Sequence, residues 1–205
     1  MAIVTALHTD FPNLDTIKTE LVRYHDSGAY DKQIALVDAQ AKNYLQQRIN
    51  QNKNLSHPKK LAIVFDIDET ALSNYSDMAK RDFSRHGAYN DYLLAHDPAI
   101  QPTFEIYQLA EKNHVAVFFV TGRPESLRPA TVKNLDAAGY TADDGLYMTN
   151  NYKNSSIIPF KSAERKLIES KGYDIVLSLG DQESDLKGGF VDKGFKLPNP
   201  YYYLA

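Results

Sequence analysis

The chain has 205 residues, 43% hydrophobic and 24% charged, which suits one α/β core with a small accessory element. Its formal net charge of -3 gives no general pull toward a nucleic-acid polymer or an anionic membrane, and apolar runs such as Val115 to Val120 are far too short to insert in a bilayer. Cysteine is absent, which removes disulfides, thiolate metal sites and a Cys nucleophile and leaves the redox compartment open.

Met1 to Thr16 lacks the basic-then-apolar pattern of a secretory leader. Asn13 to Asp26 and Tyr30 to Arg48 read as helices. In the second, Ile34, Val37, Ala41, Tyr44 and Leu45 form an apolar stripe, and Asp31 is the expected N-cap. Ser56-His-Pro-Lys-Lys60 breaks the chain before a first strand. That strand, Leu61-Ala-Ile-Val-Phe65, is a continuous apolar run of the kind buried on both faces, and it leads into Asp66-Ile-Asp68-Glu-Thr70. Further strands are expected at Val115 to Val120, Leu146 to Met148, Ile175 to Leu179 and Gly194 to Leu197. Helices are expected at Pro102 to Asn113, Pro124 to Ala138 and Ser162 to Lys171. Strands alternating with helices imply a doubly wound, mainly parallel five-strand α/β sheet. Ser73 to Gln101, polar and aromatic, interrupts the alternation and is the candidate cap. The organisation expected is a helical accessory segment over 1–60, packed beside the cap, and a core over 61–205 with the cap at about 73–101.

The chemistry sits at strand ends. Side chains alternate along a strand, so Asp66 and Asp68 are expected to point the same way. Two desolvated carboxylates side by side are costly unless a divalent cation or a reaction uses them, and ligands of open α/β sheets bind at this end of the strands. After the second strand, Thr121-Gly122-Arg123-Pro124 offers a hydroxyl, a glycine and a helix expected to open at Pro124, a turn suited to phosphate. Lys161, ahead of a helix, is placed to neutralise a transferring phosphoryl group. Asp181 and Asp185 bracket a loop after the fourth strand and suit a hard cation with oxygen ligands, most simply Mg²⁺. Each piece alone has an ordinary reading as a turn, a solvated charge or a helix cap; their shared position at strand ends and helix starts makes them a site.

Asp66-Ile-Asp68-Glu-Thr, Thr121-Gly-Arg, Lys161 and Gly180-Asp181-x-x-x-Asp185 resemble the four motifs of the haloacid dehalogenase superfamily of phosphohydrolases. The longer stretches Phe65 to Asn74, Thr121 to Arg128, Ser178 to Leu186 and Phe195 to Tyr202 resemble its acid phosphatase branch, which holds bacterial class C acid phosphatases and plant vegetative storage proteins. The resemblance, from about Tyr30 onward, implies a Rossmann-like core and a Mg²⁺-dependent acid phosphatase of small phosphomonoesters. It implies Asp66 as nucleophile and Asp68 as general acid and base. It implies Thr121, Gly122 and Lys161 as phosphate ligands. Mg²⁺ would be held by Asp66, Asp181 and Asp185, with the carbonyl of Asp68. It also implies export to the periplasm or medium; a cytoplasmic location and the oligomeric state stay open. Some storage proteins of this branch lack the nucleophilic Asp, and this chain keeps it.

Tyr75, with Asn74 beside it, is the first candidate for an aromatic substrate slot, followed by Tyr89, Tyr92 and Tyr201 to Tyr203. Arg123 is a candidate aid to phosphate binding, and Arg128 is expected to face solvent. His57, His86, His96 and His114 show no metal-ligand spacing and are read as surface or capping residues. The competing functions are a non-catalytic storage or binding protein, a receiver-like phospho-acceptor and a phosphotransferase.

Overall fold

The computed structural model describes residues 12–141, 143–150 and 156–204. Most of the Met1 to Thr16 stretch read for a leader therefore lies outside the described residues. Five strands, β1 (Lys60–Phe65), β2 (Ala116–Pro124), β3 (Gly145–Thr149), β4 (Tyr173–Gly180) and β5 (Lys193–Lys196), form an all-parallel sheet in the order β3-β2-β1-β4-β5. The expected α/β class is thus the observed one. Seven α-helices are described: α1 (Leu14–Asp26), α2 (Ala29–Lys53), α3 (Tyr75–Lys80), α4 (Ala88–Leu94), α5 (Gln101–Lys112), α6 (Arg128–Ala137) and α7 (Ile158–Ser170).

Alternation along β1 feeds two cores. Leu61, Ile63 and Phe65 join the cluster that contains Ile34 and Leu45 of α2 and Ile106 of α5. Ala62 and Val64 join a second cluster with Ile168 of α7. Both faces are covered, which is why β1 reads as an unbroken apolar run. Strand order reverses at β1, between β2 and β4, and this places a crevice at the carboxyl ends of β1 and β4.

Four local expectations change. The boundary at residue 60 does not separate two cores, because Tyr30, Ile34, Ala41, Leu45 and Ile49 of α2 pack in the same cluster as β1, β2 and β4; α1 meets the cap through Lys18–Asp82 and the stacked rings of His25 and Tyr75. α2 starts at Ala29 after Gly28, whose φ of 72° suits glycine, so Asp31 lies inside the first turn and is not the cap. β2 runs on through Pro124, which is extended and pairs with Thr149; α6 opens at Arg128, with Pro129 in its first turn. α7 opens at Ile158 with Pro159 in its first turn, so Lys161 lies within the helix rather than ahead of it. No helix among the described residues is long and apolar enough to cross a membrane.

Candidate active site

Asp66 follows β1 directly, and its N–H donates to Leu179 O of β4 at 3.0 Å, so the reversal of strand order fixes its backbone. Its carboxylate accepts from Lys161 Nζ at 2.6 Å, and the same ammonium donates to Asp185. Asp181, at the end of β4, is held by the amides of Gln182 and Asn199, each at 2.6 Å. Asp185 closes a capping box by accepting the Gln182 N–H at 2.8 Å. Carboxylate oxygens of Asp66, Asp181 and Asp185 all lie within 4.8 Å of one another, and all three residues are buried.

Three buried acids against one ammonium are under-neutralised. Burial pushes the Asp66 carboxyl well above its ordinary range; Lys161 opposes this, while Asp185, Asp181 and Asp68 add to it. Burial and Asp185 likewise raise Asp181 to about 6, against the hydrogen bonds from Asn199 and Gln182. Lys161 is pushed the other way: its two carboxylate partners outweigh burial and raise it. The donor set is all oxygen with no imidazole or thiolate, which fits a hard divalent cation. Gly180 makes this packing possible, because a Cβ there would lie 2.2 Å from the Asp185 Cβ.

Asp68 lines the same cavity as Asp66 but has its own partners. Its carboxylate turns to Arg123, whose Nη2 donates at 2.7 Å, and to Asn74, whose Nδ2 donates at 2.6 Å. Thr121 is fully buried and its hydroxyl accepts the Arg123 N–H at 3.1 Å. A cavity of about 440 Å³ opens over the site. Asp66, Asp68, Asn74, Gly122 and Lys161 line it, together with Arg123 and Glu69, while Thr121, Asp181 and Asp185 stand behind it.

Tyr75 does not line this cavity. Its ring stacks on His25 with centroids 3.3 Å apart and packs against Tyr201, so its place is at the seam between α1 and the cap. The aromatic lining comes instead from Tyr89 and Tyr92 of α4, Phe83, and Tyr201 and Tyr202 of the tail; Tyr203 is exposed. Asn74 lines the cavity but spends its amide on Asp68 and Glu69. Arg128 pairs with Glu125 and also donates to Leu146 O. His96 meets Asp77 at 2.9 Å beside Asp97, a grouping invisible in the sequence spacing; Lys80 already pairs with Asp77, and Arg123 lies 3.7 Å from Asp97.

Reasoning from sequence missed Glu69, fully buried with a left-handed φ of 51°, which accepts the Asn74 N–H at 2.7 Å. It also missed Arg165 on α7, which donates to the carbonyls of Asp185 and Gly189 and so clamps the acidic loop. Asn199 falls within the tail motif and gave that much signal. Arg165 gave none, since its partners are backbone oxygens some twenty residues away.

A parallel sheet with acids at its strand-order reversal and a ligand-sized cavity above them defines a Rossmann-like ligand site. The sequence matches the HAD superfamily, subfamily IIIB (acid phosphatase), over residues 5–205, and the chain belongs to that family. It is 35% identical over 154 residues to acid phosphatase 1 of Solanum lycopersicum, covering 69% of this chain and 58% of that protein. It is 32% identical over 147 residues to vegetative storage protein 1 of Arabidopsis thaliana, covering 69% of this chain and 54% of the relative. The chain thus spans between half and three-fifths of these curated relatives. The class C acid phosphatase of Bacillus anthracis shares the fold, with a TM-score of 0.71 at 21% identity over 93% of this chain and 86% of the other.

Proposed function

We propose that the chain is a Mg²⁺-dependent phosphomonoesterase of small phosphomonoesters, working through an aspartyl-phosphate at Asp66. One observation carries the reading: Asp66, Lys161, Asp181 and Asp185, far apart in sequence, converge at one buried point beneath a cavity that also exposes Asp68 and Gly122. Membership in an acid phosphatase subfamily supports it.

In the first step, an Asp66 oxygen bonds to phosphorus as the bond from phosphorus to the leaving oxygen breaks. Asp68 supplies the proton that the leaving oxygen takes up. In the second, water gives a proton to Asp68 while its oxygen bonds to phosphorus and the aspartyl oxygen leaves, restoring both acids. Lys161 balances the phosphoryl charge and Gly122 takes the oxygens around phosphorus, while Thr121, behind the cavity wall, holds the turn through the Arg123 N–H. Asp66, Asp181 and Asp185, with the Asp68 carbonyl, would hold Mg²⁺. When bound, that ion lowers the repulsion between anionic nucleophile and anionic ester.

The tyrosines of α4 and the tail favour esters with a flat apolar group, such as aryl phosphates and nucleoside monophosphates. Turnover of p-nitrophenyl phosphate and nucleoside 5′-monophosphates, with Mg²⁺ and with EDTA, tests the proposal. Asp66→Asn should cut metal-dependent turnover by about a thousandfold or more with an unchanged circular dichroism spectrum. A near-normal rate in that variant would remove Asp66 as nucleophile. A storage role has relatives in its favour; the retained, convergent acids weigh against it, and absence of turnover at every pH would restore it. Export belongs to the same proposal, and fractionation of the native host checks it.

A further inference from the structure

The Arg123 guanidinium is 2% exposed, so its charge needs partners inside the protein. Its donors are committed. Nε reaches both Asp68 oxygens, Oδ1 at 3.1 Å and Oδ2 at 3.2 Å, and Nη2 reaches Oδ1 at 2.7 Å and Asn74 Oδ1 at 3.4 Å. Nη1 donates to Thr131 at 3.4 Å, and the Tyr92 ring lies over the guanidinium carbon at 4.3 Å. Asn74 adds a donor to Asp68 Oδ1 at 2.6 Å and is itself tied down by Glu69.

The count on Asp68 is lopsided. Among the described residues, Oδ1 receives Arg123 Nε, Arg123 Nη2 and Asn74 Nδ2, while Oδ2 receives only a share of one N–H. An oxygen saturated with donors is a poor place for an acidic proton, because the proton would face other N–H hydrogens. Resting on the phosphatase reading above, we propose that Arg123 and Asn74 are positioning residues. They hold Asp68 by Oδ1 so that Oδ2 is the atom that gives and takes the proton at the leaving oxygen. Arg123 then serves proton transfer rather than phosphate binding.

Leaving-group dependence separates the two roles. A p-nitrophenolate departs with little help from an acid, whereas an alkoxide needs its proton as the bond breaks. In Arg123→Gln, Arg123→Lys and Asn74→Ala, kcat/KM for β-glycerol phosphate should fall more than for p-nitrophenyl phosphate, by about a hundredfold for the Arg123 variants. Inhibition by inorganic phosphate should stay as in the wild type. Asp68→Asn should show the same selective loss. Equal losses on both substrates, or weakened phosphate inhibition, would overturn the proposal and make Arg123 a phosphate ligand or a structural residue. If Arg123→Gln fails to fold by circular dichroism, Arg123→Lys and Asn74→Ala decide by the same criteria. Failure of the phosphatase reading looks different: the wild type itself would lack metal-dependent turnover, or Asp66→Asn would retain it.

Discussion

Asp66 and Asp68 are two residues apart, and the structure gives them opposite surroundings. Asp66 faces the core half of the site, where three buried acids share one lysine. Asp68 faces the cap half, where it meets an arginine that also lies 3.7 Å from Asp97 and an amide shared with Glu69. The core half carries excess negative charge and is built to receive a cation. The cap half is already matched and is built to hold one carboxylate still. Identical residues two positions apart can therefore take different chemical tasks, because the task is set by the partner.

The strongest way to break the contrast is to remove the core-half cation. Lys161→Met leaves Asp66 and Asp185 buried without their ammonium, and the protein should lose about 3–5 kcal/mol in EDTA, read by urea unfolding. Added Mg²⁺ should restore more stability to this variant than it adds to the wild type. Equal stability in EDTA would show that the acids are not jointly ionised. Gly180→Ala probes the same half by geometry: a new Cβ would collide with Asp185. Turnover should drop and the Mg²⁺ needed for half-activation should rise, while phosphate-free stability changes less than in Lys161→Met.

Another buried acid, outside the site, sharpens the comparison because no cation meets it among the described residues. Asp38 of α2 is 1% exposed, and among the described residues only the Thr103 hydroxyl donates to it, at 3.0 Å. Burial raises it to about 7, against that hydrogen bond. The folded state keeps a proton that the unfolded chain releases near pH 4, so the contribution of this group to stability is full below that pH. It is lost as pH rises to about 7, on the order of 4 kcal/mol in all. Asp38→Asn should flatten that part of the stability–pH curve; an unchanged curve would place the titration elsewhere. The smallest effect is expected at Tyr75, outside the cavity. Tyr75→Leu should leave KM for aryl phosphates unchanged and lower the melting temperature slightly, and a raised KM would return it to the substrate site.

Much of this was legible in the sequence. An apolar run ending in polar residues is a local pattern, so β1, β2 and β4, with Asp66 and Asp181 just after β1 and β4 and Thr121 toward the end of β2, follow from neighbours in the chain. Signals that act alone misled. Pro124 resembles a helix opener, yet its extended backbone pairs with β3, and Pro129 takes that role for α6. Tyr75 was the cap aromatic nearest the acid pair, but a ring goes where apolar surface is available, and His25 and Tyr201 provided it.

By itself the sequence determined that a parallel sheet would form and that carboxylates would stand at its strand ends, because periodicity and charge are properties of short stretches. Only the tertiary structure decided which cation meets which acid. Arg123 is 55 residues from Asp68, and Lys161 is 95 from Asp66. Those meetings depend on strand order and on the path of the cap, and no local pattern encodes either.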